Sequence, residues 1–117
     1  MNFNSILIGS EDPKRLVEYY TKLFGKPEFE DGGYSGWKFG EGFVNIGAHD
    51  QVHGKNPAPG RIIWNLETKD VKADFERMKA AGAIVVREPY NFEGYPDFFT
   101  ATLADPDDNY FQLVSPM

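Results

Sequence analysis

Asp12-Pro13-Lys14-Arg15-Leu16-Val17-Glu18-Tyr19-Tyr20-Thr21-Lys22-Leu23-Phe24-Gly25 reads as one short helix with both ends marked. Asp12 can accept backbone N–H bonds as N-cap, and Pro13 suits the first helical position, where no N–H is needed. Leu16, Tyr20, Leu23 and Phe24 recur at helical spacing and give one apolar face. Gly25 is the expected C′ residue, and Pro27 prevents continuation. Upstream, the run Ser5-Ile6-Leu7-Ile8-Gly9 is short and apolar, as a buried strand is. Downstream, residues 28–30, 34–39 and 43–48 read as strands separated by Asp31-Gly32-Gly33 and Gly40-Glu41-Gly42. The glycines at 32, 33, 36, 40 and 42 are all assigned to these hairpin turns. Residues 1–49 thus form a βαβββ unit.

Residues 50–60 carry two prolines and no periodicity, and read as a linker. Then the order begins again. Residues 61–67 form a strand, Asp70 is a second N-cap, Val71, Phe75 and Met78 keep helical spacing, and Gly82 ends the helix. Residues 83–88, 98–104 and 109–114 are strands, with Asp105-Pro106-Asp107-Asp108 as the last turn. Two units of one order and nearly one length indicate an internal duplication. The expected fold class is α+β, a single domain over 1–117 built from tandem βαβββ units at 1–49 and 61–117. One helix per unit covers only one face of the strands. Side by side, the units are expected to make a curved mixed sheet with a concave ligand face.

A chain of 117 residues can bury a sizeable core. A net charge of −6 argues against nucleic acid, which needs a Lys/Arg face. The absence of cysteine removes disulfides and thiolate metal sites. The first residues lack a basic segment followed by an apolar run, and no stretch approaches the roughly 18 apolar residues of a spanning helix. A cytoplasmic protein, without membrane partners, is therefore expected. Ten Phe, six Tyr and two Trp are many for this length, enough to fill a core and line a pocket for a flat molecule. No glycine-rich phosphate loop precedes a helix. No nucleophile–base–orienter set is visible, since both histidines, His49 and His53, read as surface residues, His49 nearest the cleft rim.

Three segments together resemble the glyoxalase/bleomycin-resistance/extradiol-dioxygenase (vicinal oxygen chelate) superfamily. They are Asp12 to Gly25, the helix ending Lys79-Ala80-Ala81-Gly82-Ala83, and Asp105-Pro106-Asp107-Asp108-Asn109 with the strand to Leu113. The resemblance implies the βαβββ fold, homodimerisation and, in many members, a divalent metal held by four residues. Those positions fall here on Ser5, Asn45, Ile63 and Gln112. Amide, hydroxyl and hydrocarbon groups make a poor divalent site, so no metal cofactor is expected.

Strand alternation, anchored on that match, sends Ser5, Leu7 and Gly9 to the inner face and Ile6 and Ile8 to the core. The same parity puts Ile63, Asn65 and Glu67 inside and Ile62, Trp64 and Leu66 in the core. Phe43, Asn45 and Gly47 face inward, as do Tyr110, Gln112 and Val114. The candidate ligand pocket is Ser5, Leu7, Phe43, Asn45, Ile63, Asn65, Glu67, Tyr110 and Gln112. Glu67 is the one carboxylate among them and the candidate general base, its alternative being a solvated strand end. Trp37 and Phe39 share a parity whose face the sequence leaves open. Tyr90, Phe92, Tyr95 and Phe98 surround a connection at 89–97 that reads either as a lid or as a packed satellite cluster. The first functional expectation is a binding protein for a small, mostly apolar or aromatic molecule, without metal. The alternatives are a metal-dependent lyase, isomerase or dioxygenase recruiting His49 and Glu67, and a regulatory module with a vestigial pocket.

Overall fold

The computed structural model describes residues 1–117. The first unit runs β1 (Ser5–Ser10), α1 (Pro13–Phe24), β2 (Phe29–Asp31), β3 (Tyr34–Phe39) and β4 (Gly42–Ala48). After a 3-10 turn at Pro59–Arg61, the second repeats the order with β5 (Ile63–Glu67), α2 (Val71–Ala80), β6 (Ile84–Asn91), β7 (Phe99–Ala104) and β8 (Tyr110–Val114). Two four-stranded mixed sheets result, ordered β1-β4-β3-β2 and β5-β8-β7-β6. In each, the first and last strands pair in parallel and the others antiparallel. The compact units meet in sequence at Gly54 and Lys55, inside the stretch read as a linker.

The two helices begin with the same device. Ser10 Oγ accepts the Asp12 N–H at 3.0 Å, and Asp12 Oδ1 accepts the Arg15 N–H at 3.2 Å. Thr68 Oγ1 accepts the Asp70 N–H, and Asp70 Oδ1 accepts the Ala73 N–H at 3.0 Å. Each pair satisfies donors that a helix start leaves without partners. The helices end on Gly25 and Gly82, both at positive φ. Around Gly82 the N–H of Ala83 reaches Met78 O at 3.0 Å, as a Schellman turn requires. At 12 and 10 residues, neither helix is long or apolar enough to cross a membrane.

In the first unit Leu16, Tyr20 and Leu23 of α1 are buried with Ile8, Val44 and Ile46. Trp37 and Phe39 take this helix side. The Trp37 ring lies 6.1 Å from Tyr20, Phe39 lies edge-on to Phe24 at 5.0 Å, and Trp37 Nε1 donates to Gly25 O at 2.8 Å. In the second unit Val71, Phe75 and Met78 are buried with Ala101, Leu103, Phe111 and Leu113, and Trp64 stacks on Phe111 at 5.0 Å.

Four expectations need correction. Ile62 is 75% exposed rather than core, because Arg61 closes the 3-10 turn on Ala58 O and the strand starts only at Ile63. Gly36 lies inside β3 rather than in a turn, and Gly42 opens β4. The strand read at 28–30 is displaced by one residue, to Phe29–Asp31. The connection after β6 is shorter than 89–97, because β6 continues to Asn91 through register shifts between Val85 and Arg87 and between Arg87 and Tyr90. Its tip is pinned by the Tyr95 N–H on Phe92 O and the Phe98 N–H on Tyr95 O. The Tyr90 and Phe98 rings flank Phe92 at 5.3 and 6.4 Å, so these three aromatics pack as a cluster. β6 is a sheet edge, and Ile84, Val85 and Val86 along it are exposed.

The turn before β8 hangs on Asp105, which is 1% exposed. Its Oδ1 accepts the Asp107 and Asn109 N–H groups at 2.9 and 3.0 Å. Its Oδ2 takes Asn109 Nδ2 at 3.1 Å. Asp108 follows at φ 66, a left-handed backbone that suits glycine. Asp105→Ala strands these buried donors and is expected to cost about 3 kcal/mol, with Asp105→Asn costing less, read from urea midpoints at constant m. Asp108→Gly relieves the left-handed strain and is expected to raise stability by about 1 kcal/mol in the same assay.

Candidate functional site

Each sheet has one face against its helix and one away from it, and all nine residues read as pocket-lining lie on the second kind. Ser5 pairs with Phe43 and Leu7 with Asn45 across β1 and β4. Ile63 pairs with Tyr110, Asn65 with Gln112, and Glu67 with Val114 across β5 and β8. The candidates therefore form two groups, four on the first sheet and five on the second.

The registers make the duplication visible residue by residue. Leu7 opposes Asn45 as Asn65 opposes Gln112, so Asn45 and Gln112 hold equivalent places. Their neighbours on the next strand differ. Gln112 faces Thr102 and donates Nε2 to its Oγ1 at 3.0 Å. Asn45 faces Gly36, which offers no side chain, and its Oδ1 is buried without a hydrogen-bond partner.

The helix-free face of the first sheet is rich in rings. Phe29 opposes Gly36 from β2 and lies edge-to-face with Phe43 at 6.0 Å. A Cβ on Gly36 would stand 2.3 Å from Phe29 Cε1 and 2.4 Å from Asn45 Oδ1, so ring and amide share the space that glycine leaves. Tyr34 likewise lies over Gly47, where a Cβ would fall 2.3 Å from its Cδ1. His49 sits over Gly9 at the end of this face, its Nδ1 accepting the Gln51 N–H at 3.2 Å. Leu7, Tyr34 and Phe29 remain 54%, 44% and 37% exposed. Phe29 and Tyr34 were not legible as face residues, although Gly36 and Gly47 inside strand runs signal the close approach of a ring.

On the second sheet the corresponding face is polar near its middle, with Asn65, Gln112 and buried Thr102. Arg87 lies over the Tyr90 ring at 3.5 Å. Glu67 is exposed at the end of β5, which matches the solvated strand end rather than a desolvated base. Tested as metal ligands, Ser5 and Asn45 on one sheet and Ile63 and Gln112 on the other do not fit a divalent ion. Ile63 supplies no donor atom, Gln112 is engaged with Thr102, and no carboxylate or imidazole is among them. Nowhere in the chain do three His, Asp or Glu side chains converge to hold a metal ion.

A family model described as a glyoxalase-like domain matches residues 5–114. An uncharacterized protein of Mycolicibacterium smegmatis is 24% identical over 86 residues, covering 74% of this chain and 72% of that one. Among solved structures, a glyoxalase/bleomycin resistance protein/dioxygenase family enzyme from Burkholderia phytofirmans PsJN aligns with TM-score 0.75 at 19% identity, covering 100% of both chains. A glyoxalase-related enzyme from Fulvimarina pelagi aligns with TM-score 0.76 at 17% identity, over 99% of this chain and 88% of that one. At such identities the structural likeness speaks for the fold alone. The match over nearly the whole chain, on a duplicated βαβββ frame, makes this protein a member of the glyoxalase-like domain family, within the glyoxalase/bleomycin-resistance superfamily.

Proposed function

We propose that the chain binds a small, mostly apolar or aromatic molecule on the helix-free face of its first sheet, without a metal ion. One observation carries this reading: Leu7, Phe29, Phe43 and Tyr34 share that face, and three of them stay exposed although the core of the unit lies on the other side. Apolar surface left on a sheet face costs free energy in water, and covering it with a flat molecule recovers that cost. Phe29, Phe43 and Tyr34 offer ring faces and edges for stacking. The donor chemistry of the family's metal positions supports binding rather than Lewis-acid catalysis.

A thermal-shift screen of aromatic metabolites and antibiotics is expected to yield compounds that raise the unfolding midpoint, through about 2.7 kcal/mol of added stability at a hundredfold excess over Kd. Leu7→Ser, on an exposed position, is expected to weaken such a compound by about tenfold, and EDTA to leave its affinity unchanged. A screen with no stabilising compound would refute the binding role. Affinity lost in EDTA and restored by zinc or manganese would refute its metal-free character.

A further inference from the structure

Asn45 is the one side chain on the helix-free face of the first sheet whose hydrogen bonding is visibly incomplete. Its Oδ1 is removed from solvent and accepts nothing. A buried amide oxygen without a donor carries a desolvation penalty that folding does not recover. The second unit shows how the same place is satisfied when a hydroxyl stands opposite, as Thr102 does for Gln112. Opposite Asn45 stands Gly36, and the space above it is filled by the edge of the Phe29 ring, which has no conventional donor. That ring belongs to a three-residue edge strand whose turn holds Gly32 and Gly33 at positive φ. Phe29 itself is partly exposed, so its ring can turn aside without opening the core on the far side of the sheet.

From this geometry we infer that the ligand carries an N–H or O–H group on its aromatic frame, and that Asn45 Oδ1 receives it while the Phe29 ring moves off Gly36. The inference rests on the ligand-binding reading above and sharpens it from an apolar molecule to an aromatic hydrogen-bond donor. Phe43, edge-on to Phe29 and next to Asn45 in sequence parity, supplies the stacking surface beside the oxygen. A site built to pair a donor rejects the methylated analogue, because that analogue leaves the oxygen buried and unmet.

Indole and N-methylindole are matched probes, differing in the donor and one methyl group. Titrated into nitrogen-15-labelled protein, indole is expected to bind about tenfold tighter or better, and to shift the Asn45 side-chain amide signal while N-methylindole does not. In Asn45→Leu the preference is expected to vanish. That variant is also expected to unfold at a higher midpoint than the parent, since an unmet polar group has been replaced by hydrocarbon of similar size. Equal affinity of the two probes for the parent, a preference that survives in Asn45→Leu, or a lower unfolding midpoint in that variant would overturn the inference while leaving the binding role standing. Binding of neither probe would overturn the inference, and the binding role falls with it only if the wider screen also yields no stabilising compound.

Discussion

The parallel pairing of β1 with β4, and of β5 with β8, governs which side chains share a face throughout each unit. Parallel neighbours cannot be joined by a tight turn, so the chain must cross over between them. The helix and the intervening hairpin strands make that crossover here. The register Ser5 to Phe43 and Leu7 to Asn45 then leaves Ile8, Val44 and Ile46 on the helix side. A slip of one residue in either strand would turn its core side chains to the opposite face and bring Leu7 or Asn45 under the helix. The core and the helix-free surface are thus two consequences of one alignment.

Much of this frame was legible in the residues. Asp12 and Asp70 announce helix starts, Gly25 and Gly82 announce ends, and the structure shows the capping bonds at both. Period-two alternation, anchored on the family resemblance at Ser5, assigns Leu7, Asn45, Asn65 and Gln112 to the helix-free faces. The failures share a physical cause. Parity alone puts Ile62 in the core, but the Ala58–Arg61 turn breaks the strand before Ile63 and leaves Ile62 exposed. Composition suggests a turn at Gly36 because it does not show which strand interior a ring covers. Phe29 and Tyr34 reach the face through cross-strand pairing at an edge, and that pairing depends on hairpin register rather than local sequence.

The duplicated units have diverged in how they treat equivalent amides. The second closes its own hydrogen bond, Gln112 to Thr102, and is polar in the middle of its helix-free face. The first pairs Asn45 with a glycine and surrounds it with rings. A twofold pattern at the level of backbone therefore carries two unlike surfaces. Hydrogen bonding is satisfied locally in one, and in the other a buried amide oxygen is left without a donor.

The register shifts in β6 have a consequence for behaviour at high concentration. An edge strand with Ile84, Val85 and Val86 exposed in succession would ordinarily offer a template on which another chain could add a strand. The two irregularities, between Val85 and Arg87 and between Arg87 and Tyr90, interrupt the regular pairing of β6 from Val86 onward, within and just after that apolar run. Irregularities of this kind twist an edge away from straight alignment, and the charged Arg87 and Glu88 sit at the interruption. This apolar edge thus carries its own guard against the addition of a further strand.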